Sequence, residues 1–315
     1  MTLLDVKNLE VRYMTAQGPV KAVDHVSFSL EAGEVVGLAG ESGSGKSTIA
    51  HAILRILRPP ALITGGQVLF GGRDTLAMQD DELEKFRWQE VSIVFQSAMN
   101  ALNPVMRVRE QLVDVLQHHW FSKEEANQRA EELFDLIGIE KKRLDAYPHQ
   151  LSGGMRQRTV IAIALALNPE LLIMDEPTTA LDVVVQKDIL QQIAKLRETL
   201  GISILFITHD LSLLVEFSNR ILIMYAGELV ESAPAHELFQ SPLHPYTLGL
   251  MNSFPSVSGE KRKLTGIPGS PPDLVSPPTG CRFHPRCPRA MPECMRSAPR
   301  MKAFSSDHSI ACHLY

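Results

Sequence analysis

Hydrophobic and polar positions alternate with the period of a β-strand in two stretches near the start of the chain, residues 3–13 and 20–30. A polar turn at 15–19 separates them. A short apolar run at 34–39 then leads directly into glycines, and helical spacing of apolar residues follows over 47–57 until Pro59 and Pro60. The order strand, glycine loop, helix is typical of a phosphate-binding unit.

Later apolar runs predict further elements of an α/β fold. Strands are predicted at 91–95, 171–174, 202–208 and 220–225, and helices at 160–167 and 183–200. The run at 171–174 is apolar throughout, as in a parallel strand that is covered on both faces. The stretch 107–143 is polar with apolar residues at helical spacing, which predicts two helices and an inserted helical subdomain at about 97–165.

Composition narrows the class of protein. The chain has 315 residues, 44% of them hydrophobic, with a formal net charge of −5 and no internal repeat. This balance lacks the basic excess of nucleic-acid-binding proteins, so we expect no nucleic-acid partner. We also expect no signal peptide, and no apolar run approaches the roughly 18 residues of a membrane-spanning helix. Any role at a membrane is therefore expected to come through a partner.

The glycine loop matches the pattern G-x-x-x-x-G-K-[ST] from Gly40 to Ser47. Glycines let backbone N–H groups face phosphates, and the following helix N-terminus favours an anion. Lys46 is expected to neutralise the β- and γ-phosphates of a nucleotide, and the Ser47 hydroxyl to ligate Mg²⁺. The predicted phosphate-binding residues are Gly40, Ser42, Gly43, Ser44, Gly45, Lys46, Ser47 and Thr48.

Two carboxylates, Asp175 and Glu176, follow the apolar strand at 171–174. Ligands of open α/β sheets bind at the carboxyl ends of the strands. Asp175 is therefore expected to hold Mg²⁺, directly or through water. Glu176 is expected to polarise the water that attacks the γ-phosphate.

Leu151-Ser152-Gly153-Gly154-Met155 lies about twenty residues before Asp175 and resembles the signature of ABC transporter nucleotide-binding subunits. Met155 stands where many members of that family carry Gln. In the family this serine and these glycines cover the γ-phosphate that is held by the opposite subunit. The resemblance extends over about residues 3–250.

The resemblance implies roles for four further residues. Gln96 matches the glutamine that senses Mg²⁺ and the attacking water, and Asp182 of Ala180-Leu181-Asp182 matches the loop that crosses the dimer interface. His209 matches the histidine that contacts the γ-phosphate, and Tyr13 matches the aromatic residue that stacks on adenine. The implied catalytic set is thus Glu176, His209 and Gln96, and the implied Mg²⁺ ligands are Ser47, Gln96 and Asp175.

The resemblance also implies an architecture and partners. The fold is expected to be a P-loop NTPase (RecA-like) core with an antiparallel β subdomain, the inserted helical subdomain and a Cys-rich C-terminal extension. The expected domains are 1–255 and 256–315. ATP is expected to be bound between this chain and a second, paralogous ATPase subunit. Two transmembrane permease subunits, docked on residues 97–110, and an extracytoplasmic solute-binding protein would complete an importer at the cytoplasmic face of a bacterial or archaeal membrane.

Four cysteines lie in the Pro-rich tail with the spacing C-x₅-C-x₆-C-x₁₇-C, at Cys281, Cys287, Cys294 and Cys312. This tail and His244-Pro245-Tyr246-Thr247 resemble the dipeptide and oligopeptide permease ATPases, in several of which the cysteines hold a [4Fe–4S] cluster. We expect such a cluster here, because a tail with too little apolar surface to form its own core can be stabilised by metal ligation. A zinc site and free thiols are the alternatives.

The resemblance indicates dipeptides or oligopeptides as cargo, with short oligosaccharides or nickel as alternatives. A DNA-repair or ribosome-associated ABC ATPase is the rival of a different class. Repair ATPases carry long coiled-coil insertions, whereas only about 105 residues without heptads separate Lys46 from Leu151 here. Ribosome-associated factors carry two cassettes, whereas this chain shows one.

Overall fold

The computed structural model describes residues 1–96, 98–178, 182–253 and 266–315. These residues form two compact units. The first unit contains Met1–Glu31, Val35–Ala77 and Phe206–Tyr315, and the second contains Ala32–Glu34 and Met78–Leu205. Within the described ranges, no helix has the length and apolar character needed to cross a membrane.

The strands are β1 (Thr2–Thr15), β2 (Gly18–Glu31), β3 (Val35–Ala39), β4 (Ala61–Phe70), β5 (Arg73–Asp74), β6 (Val91–Val94), β7 (Leu171–Asp175), β8 (Ser203–Ile207), β9 (Arg220–Tyr225), β10 (Glu228–Pro234), β11 (Lys302–Ala303) and β12 (Ser309–Ile310). The helices are α1 (Lys46–Ile53), α2 (Asp80–Gln89), α3 (Val108–His118), α4 (Lys123–Leu136), α5 (Gly153–Ala164), α6 (Val183–Leu200), α7 (Leu211–Phe217), α8 (Ala235–Gln240), α9 (Pro245–Asn252) and α10 (Pro292–Arg296).

The first unit contains an antiparallel sheet with strand order β2-β1-β4-β5. Its inner face is apolar because β1 and β2 alternate buried and exposed positions over much of their length. The same unit pairs β3 with β9 in parallel, and β9 with β10 antiparallel. Strand β3 is buried throughout and ends at the phosphate loop. The two short tail strands extend this sheet, because β12 pairs with β10 and with β11.

The second unit pairs β6 and β7 in parallel, with Val91 opposite Leu171. All five residues of β7 are buried, as its apolar run predicts. Helices α3 and α4 pack against each other on the apolar stripes that periodicity indicates. Strand β8 carries the chain out of this unit and into the first one.

The structure differs from the sequence pattern at several elements. Strand β4 and helices α2, α7, α8 and α9 are absent from the predicted elements. Helix α5 begins at Gly153, seven residues before the predicted start at Val160, because the Ser152 side chain caps it. The predicted boundary at 255–256 lies outside the described residues.

Candidate nucleotide-binding and catalytic site

The phosphate loop joins β3 to α1 in the first unit. Two of its positions must be glycine, because the backbone of a neighbouring strand lies too close for a side chain. At Gly40, with φ of 152°, a Cβ would lie 2.1 Å from the Met224 carbonyl oxygen. At Gly45, with φ of 105°, a Cβ would lie 2.1 Å from the Ala22 carbonyl oxygen. No side chain fits at either position, so the loop is held against β9 and β2 by its bare backbone.

The side chains of this loop fit a nucleotide phosphate. Lys46 is 5% exposed, and its Nζ donates to the carbonyl oxygens of Gly40 at 2.9 Å and Glu41 at 3.0 Å. This ammonium is therefore held within the loop. The buried Ser44 hydroxyl has no hydrogen-bond partner within the described part of the chain. Buried polar groups are normally satisfied, so this hydroxyl is available to a ligand. Ser47 lies in the first turn of α1.

Tyr13 lies on β1 beside the phosphate loop, where its hydroxyl shares a 3.2 Å hydrogen bond with Thr48 Oγ1 on α1. The ring is partly exposed, as a surface that stacks on a base must be. The structure therefore brings Tyr13 and the phosphate-loop helix together within the first unit.

In the second unit, Asp175 is the buried last residue of β7 and Glu176 follows it. Glu176 has φ of 46°, an uncommon left-handed conformation for a residue other than glycine. Such strain collects at functional sites. The Gln96 side-chain amide donates to Glu176 Oε2 at 3.0 Å. Two predicted catalytic residues, 80 positions apart in the chain, are thus in direct contact.

The signature serine caps α5, because Ser152 Oγ accepts from the Met155 N–H at 3.3 Å. Gly154 packs closely: a Cβ there would lie 2.8 Å from Val185 Cγ1. Gly153 is the first residue of the helix. Ser152, Gly153 and Gly154 therefore lie together at the capped N-terminus of α5.

The two remaining predicted residues also lie at element ends. Asp182 caps α6 by accepting from the Val185 N–H at 3.0 Å, while Ala180 and Leu181 lie outside the described residues. His209 is exposed after β8, directly before Asp210, which caps α7 by accepting from the Ser212 N–H at 2.9 Å.

Two residues that the sequence reasoning missed contact the phosphate loop. Arg286 donates to both carboxylate oxygens of Glu41, at 2.7 and 2.9 Å, and these hydrogen bonds raise the pKa of the guanidinium. The Tyr246 hydroxyl accepts from the Glu41 N–H at 2.9 Å. Tyr246 belongs to the His-Pro-Tyr-Thr motif at residues 244–247, and this motif is the sequence signal that points to the contact.

The tail after residue 266 packs against strands of the first unit. Arg282 forms ion pairs with Asp24 and, at 3.0 Å, with Glu228. The Phe283 ring is 2% exposed and lies 5.1 Å from the Tyr225 ring and 5.4 Å from the Tyr246 ring, centroid to centroid.

Buried acid–base contacts hold the tail as well. His308 Nε2 lies 2.8 Å from Glu231 Oε1, and both side chains are fully buried. The Glu231 carboxylate also accepts from the N–H groups of Leu243 and His244, at 2.7 and 3.0 Å. The tail is therefore part of the first unit's core.

This geometry agrees with comparisons to known proteins. Residues 23–179 match a family described as ABC transporter, and residues 230–294 match a family described as Oligopeptide/dipeptide transporter, C-terminal region. The dipeptide transport ATP-binding protein DppD of Caldanaerobacter subterraneus subsp. tengcongensis is 42% identical over 99% of this chain and 97% of its own. The oligopeptide transport ATP-binding protein OppD of Escherichia coli is 45% identical over 98% of this chain and 92% of its own.

The chain is also similar to a solved structure of an ABC ATPase. An ATP-binding cassette, solved as a dimer in a post-hydrolysis state with ADP and Pi bound, is 32% identical with a TM-score of 0.65, over 74% of this chain and 99% of its own. The chain belongs to the ATP-hydrolysing subunits of ABC transporters and has their P-loop ATPase fold. Within them, it carries the C-terminal region of the oligopeptide/dipeptide transporter family.

The comparisons overturn the predicted [4Fe–4S] cluster. The relatives that match the whole chain are described as transport ATP-binding proteins and not as iron–sulfur proteins. The physical premise was also wrong, because the tail does not need a core of its own: Arg282, Phe283 and His308 anchor it to the first unit.

Three of the cysteine thiols have the character of neutral groups. Burial raises the pKa of Cys281 to about 11 and also raises the pKa of Cys287 and Cys312. Among the described residues, the one group of three ligand atoms within 4.8 Å of each other is Glu10, Asp24 and His25. The thiols therefore lack the close spacing of a tetrahedral zinc site.

Proposed function

We propose that this chain powers the uptake of dipeptides or oligopeptides by a membrane transporter. The match of residues 230–294 to the C-terminal region of oligopeptide/dipeptide transporters carries this proposal, because that region lies beyond the cassette shared by all ABC ATPases. The relatives that match nearly the whole chain are named for dipeptide and oligopeptide transport. Uptake of short oligosaccharides or nickel has no such support.

In the first unit, the phosphate loop binds the nucleotide. Lys46 neutralises the β- and γ-phosphates, and the N–H groups of residues 42–48 face their oxygens. Tyr13 stacks on the adenine, a role that its contact with Thr48 supports. His209 contacts the γ-phosphate. Ser47 would be a ligand of Mg²⁺, which when bound neutralises phosphate charge. The other proposed Mg²⁺ ligands, Gln96 and Asp175, belong to the second unit.

In the second unit, Glu176 acts as the general base. Its carboxylate accepts a proton from water as that water attacks the γ-phosphorus and ADP leaves. The hydrogen bond from Gln96 supports this role, because it orients the Glu176 carboxylate. The capped N-terminus of α5 supports the proposal that Ser152, Gly153 and Gly154 bind the γ-phosphate held by a partner subunit.

We infer an assembly of two ATPase subunits and two transmembrane permease subunits, at the cytoplasmic face of the membrane. Asp182 faces the second ATPase, which is a paralogue, and an extracytoplasmic solute-binding protein delivers the cargo. The helical subdomain at about 97–165 docks the permease through 98–110; Ser97 lies outside the described residues. We also propose the division into a nucleotide-binding domain, 1–255, and a Cys-rich C-terminal extension, 256–315; the extension packs within the first unit.

Purification with the membrane partners, followed by reconstitution in vesicles, tests this function. Peptide-loaded binding protein should stimulate ATP hydrolysis, and Lys46→Ala should abolish the stimulation. Stimulation by chito-oligosaccharides or nickel, with none by peptides, would refute the cargo. Stimulation by DNA alone would refute the transport role.

A further inference from the structure

Glu41 is a carboxylate inside a loop built to bind an anion. It follows Gly40 at the start of the phosphate loop, and its backbone carbonyl accepts from Lys46 Nζ at 3.0 Å. A negative side chain here repels the phosphates that the loop must bind. The structure offers a compensating charge, because Arg286 holds this carboxylate with two hydrogen bonds of 2.7 and 2.9 Å.

Arg286 is itself fixed before any ligand arrives. Its Nε donates to the Pro268 carbonyl oxygen at 2.8 Å, and its guanidinium lies 5.7 Å from the centre of the Tyr225 ring. The Arg286 side chain is 6% exposed. A planar guanidinium held on several sides loses little entropy when it forms a bidentate pair, which lysine cannot reproduce.

Tyr246 holds the backbone of the same residue. Its hydroxyl accepts from the Glu41 N–H, so that N–H points towards α9 and not towards a phosphate. The Tyr246 ring is fully buried, with its centre 4.6 Å from that of Tyr225. A shallow pocket on the same side of the loop is lined by Glu41, Ser44 and the tail residues Pro271 and Pro272.

We propose that Arg286, in the C-terminal extension, and Tyr246, in α9 just before it, are positioning residues for ATP: together they set the shape of the phosphate loop, and Arg286 cancels the charge of Glu41. This proposal rests on the proposed function of the loop. It adds two residues to the nucleotide site, Tyr246 and Arg286, which follow Glu41 by 205 and 245 positions in the chain. The extension is then a working part of the nucleotide site, and its loss weakens triphosphate binding even where the loop sequence is intact.

The test measures the Kd of fluorescent mant-ATP and mant-ADP for the purified full-length chain. Arg286→Met should raise the Kd for mant-ATP by about three- to tenfold, the scale of one uncompensated charge near a protein surface. The increase should be smaller for mant-ADP, which carries less charge. The double variant Glu41→Gln/Arg286→Met should return the Kd to within about twofold of the parent, because the repelling charge is gone.

Two controls separate charge from folding. Arg282→Met removes another buried tail arginine that contacts Asp24 and Glu228, and Glu41→Gln should not rescue any loss it causes. Arg286→Lys keeps the charge and loses the bidentate geometry, so an intermediate Kd is expected. If Arg286→Met fails to fold, the Kd of Arg286→Lys is compared with that of the double variant Glu41→Gln/Arg286→Lys instead.

The outcomes distinguish the two proposals. If Lys46→Ala binds mant-ATP as tightly as the parent, the proposed function of the loop fails. If Lys46→Ala abolishes binding while Arg286→Met and Arg286→Lys bind normally, only the role of Arg286 fails. Equal losses in the single and double variants also overturn it, since charge compensation would then be absent.

Discussion

The Gln96 amide and the Glu176 carboxylate are joined by a 3.0 Å hydrogen bond, and Glu176 has the strained φ of 46°. Strand β6 ends just before Gln96 and β7 ends just before Glu176, so the parallel pairing of these strands brings the two residues together. The amide orients the carboxylate without protonating it. The arrangement suits a general base, which must remain an acceptor.

Replacing Glu176 by Gln should abolish turnover while ATP still binds. General base catalysis contributes about 10²- to 10⁴-fold, so the hydrolysis rate should fall by at least about a hundredfold. Phosphate release measures the rate, and mant-ATP fluorescence measures binding. Glu170→Gln, on an exposed residue before β7, is the matched control and should hydrolyse normally. Hydrolysis by Glu176→Gln at the parental rate would show that another group is the base.

Ser152 has a structural role as a helix cap and a proposed role at the phosphate, and two variants separate them. Ser152→Ala removes the acceptor of the Met155 N–H and should lower the free energy of unfolding by about 1 kcal/mol. Ser152→Asp keeps the cap, so stability should be retained. Its negative charge should nevertheless suppress ATP hydrolysis by repelling the γ-phosphate. Urea unfolding and phosphate release measure the two effects; an active Ser152→Asp would contradict the phosphate role.

His244 should make stability depend on pH. Burial lowers the pKa of His244 to about 4, and its Nδ1 accepts from the Tyr246 N–H at 3.0 Å. Between this lowered pKa and the ordinary one, His244 is therefore protonated in the unfolded chain and neutral in the folded chain. The stabilisation is complete above the ordinary pKa of 6.5 and is lost as pH falls towards about 4.

His244→Asn keeps an acceptor that can cap α9 but has no titrating group. Parent and variant should differ in how their free energy of unfolding changes between about pH 7 and pH 4.5, with the parent losing up to about 3 kcal/mol more. Urea unfolding at several pH values gives both curves. Parallel curves would mean that His244 is accessible to protons in the folded state.

The tail should be held by packing and ion pairs without a metal. Phe283→Ala removes a buried ring from the cluster with Tyr225 and Tyr246, and should cost about 3–5 kcal/mol. Phe304→Ala, on a ring that is 54% exposed, should cost less than about 1 kcal/mol. The parent should unfold at the same urea concentration with and without EDTA. A large decrease of the unfolding urea concentration in EDTA would show that a bound metal stabilises the tail.

The sequence by itself determined the chemistry of short segments. The phosphate loop, the carboxylates at the end of β7 and the Ser-Gly-Gly cap of α5 are each set by a few neighbouring residues, because turn geometry, helix capping and strand burial depend on local spacing. The order of these segments along the chain indicated the family before any coordinates were known.

Only the tertiary structure decided which distant residues contact the phosphate loop. Glu41 and Arg286 are 245 residues apart, and Glu41 and Tyr246 are 205 apart. No local pattern encodes such contacts, because they arise when β9 and β10 bring the tail beside the phosphate loop. The cysteine spacing suggested a metal staple, whereas a buried arginine, a phenylalanine and a histidine hold the tail. Packing of the tail against distant strands therefore stabilises it, in place of the metal site that the cysteines predicted.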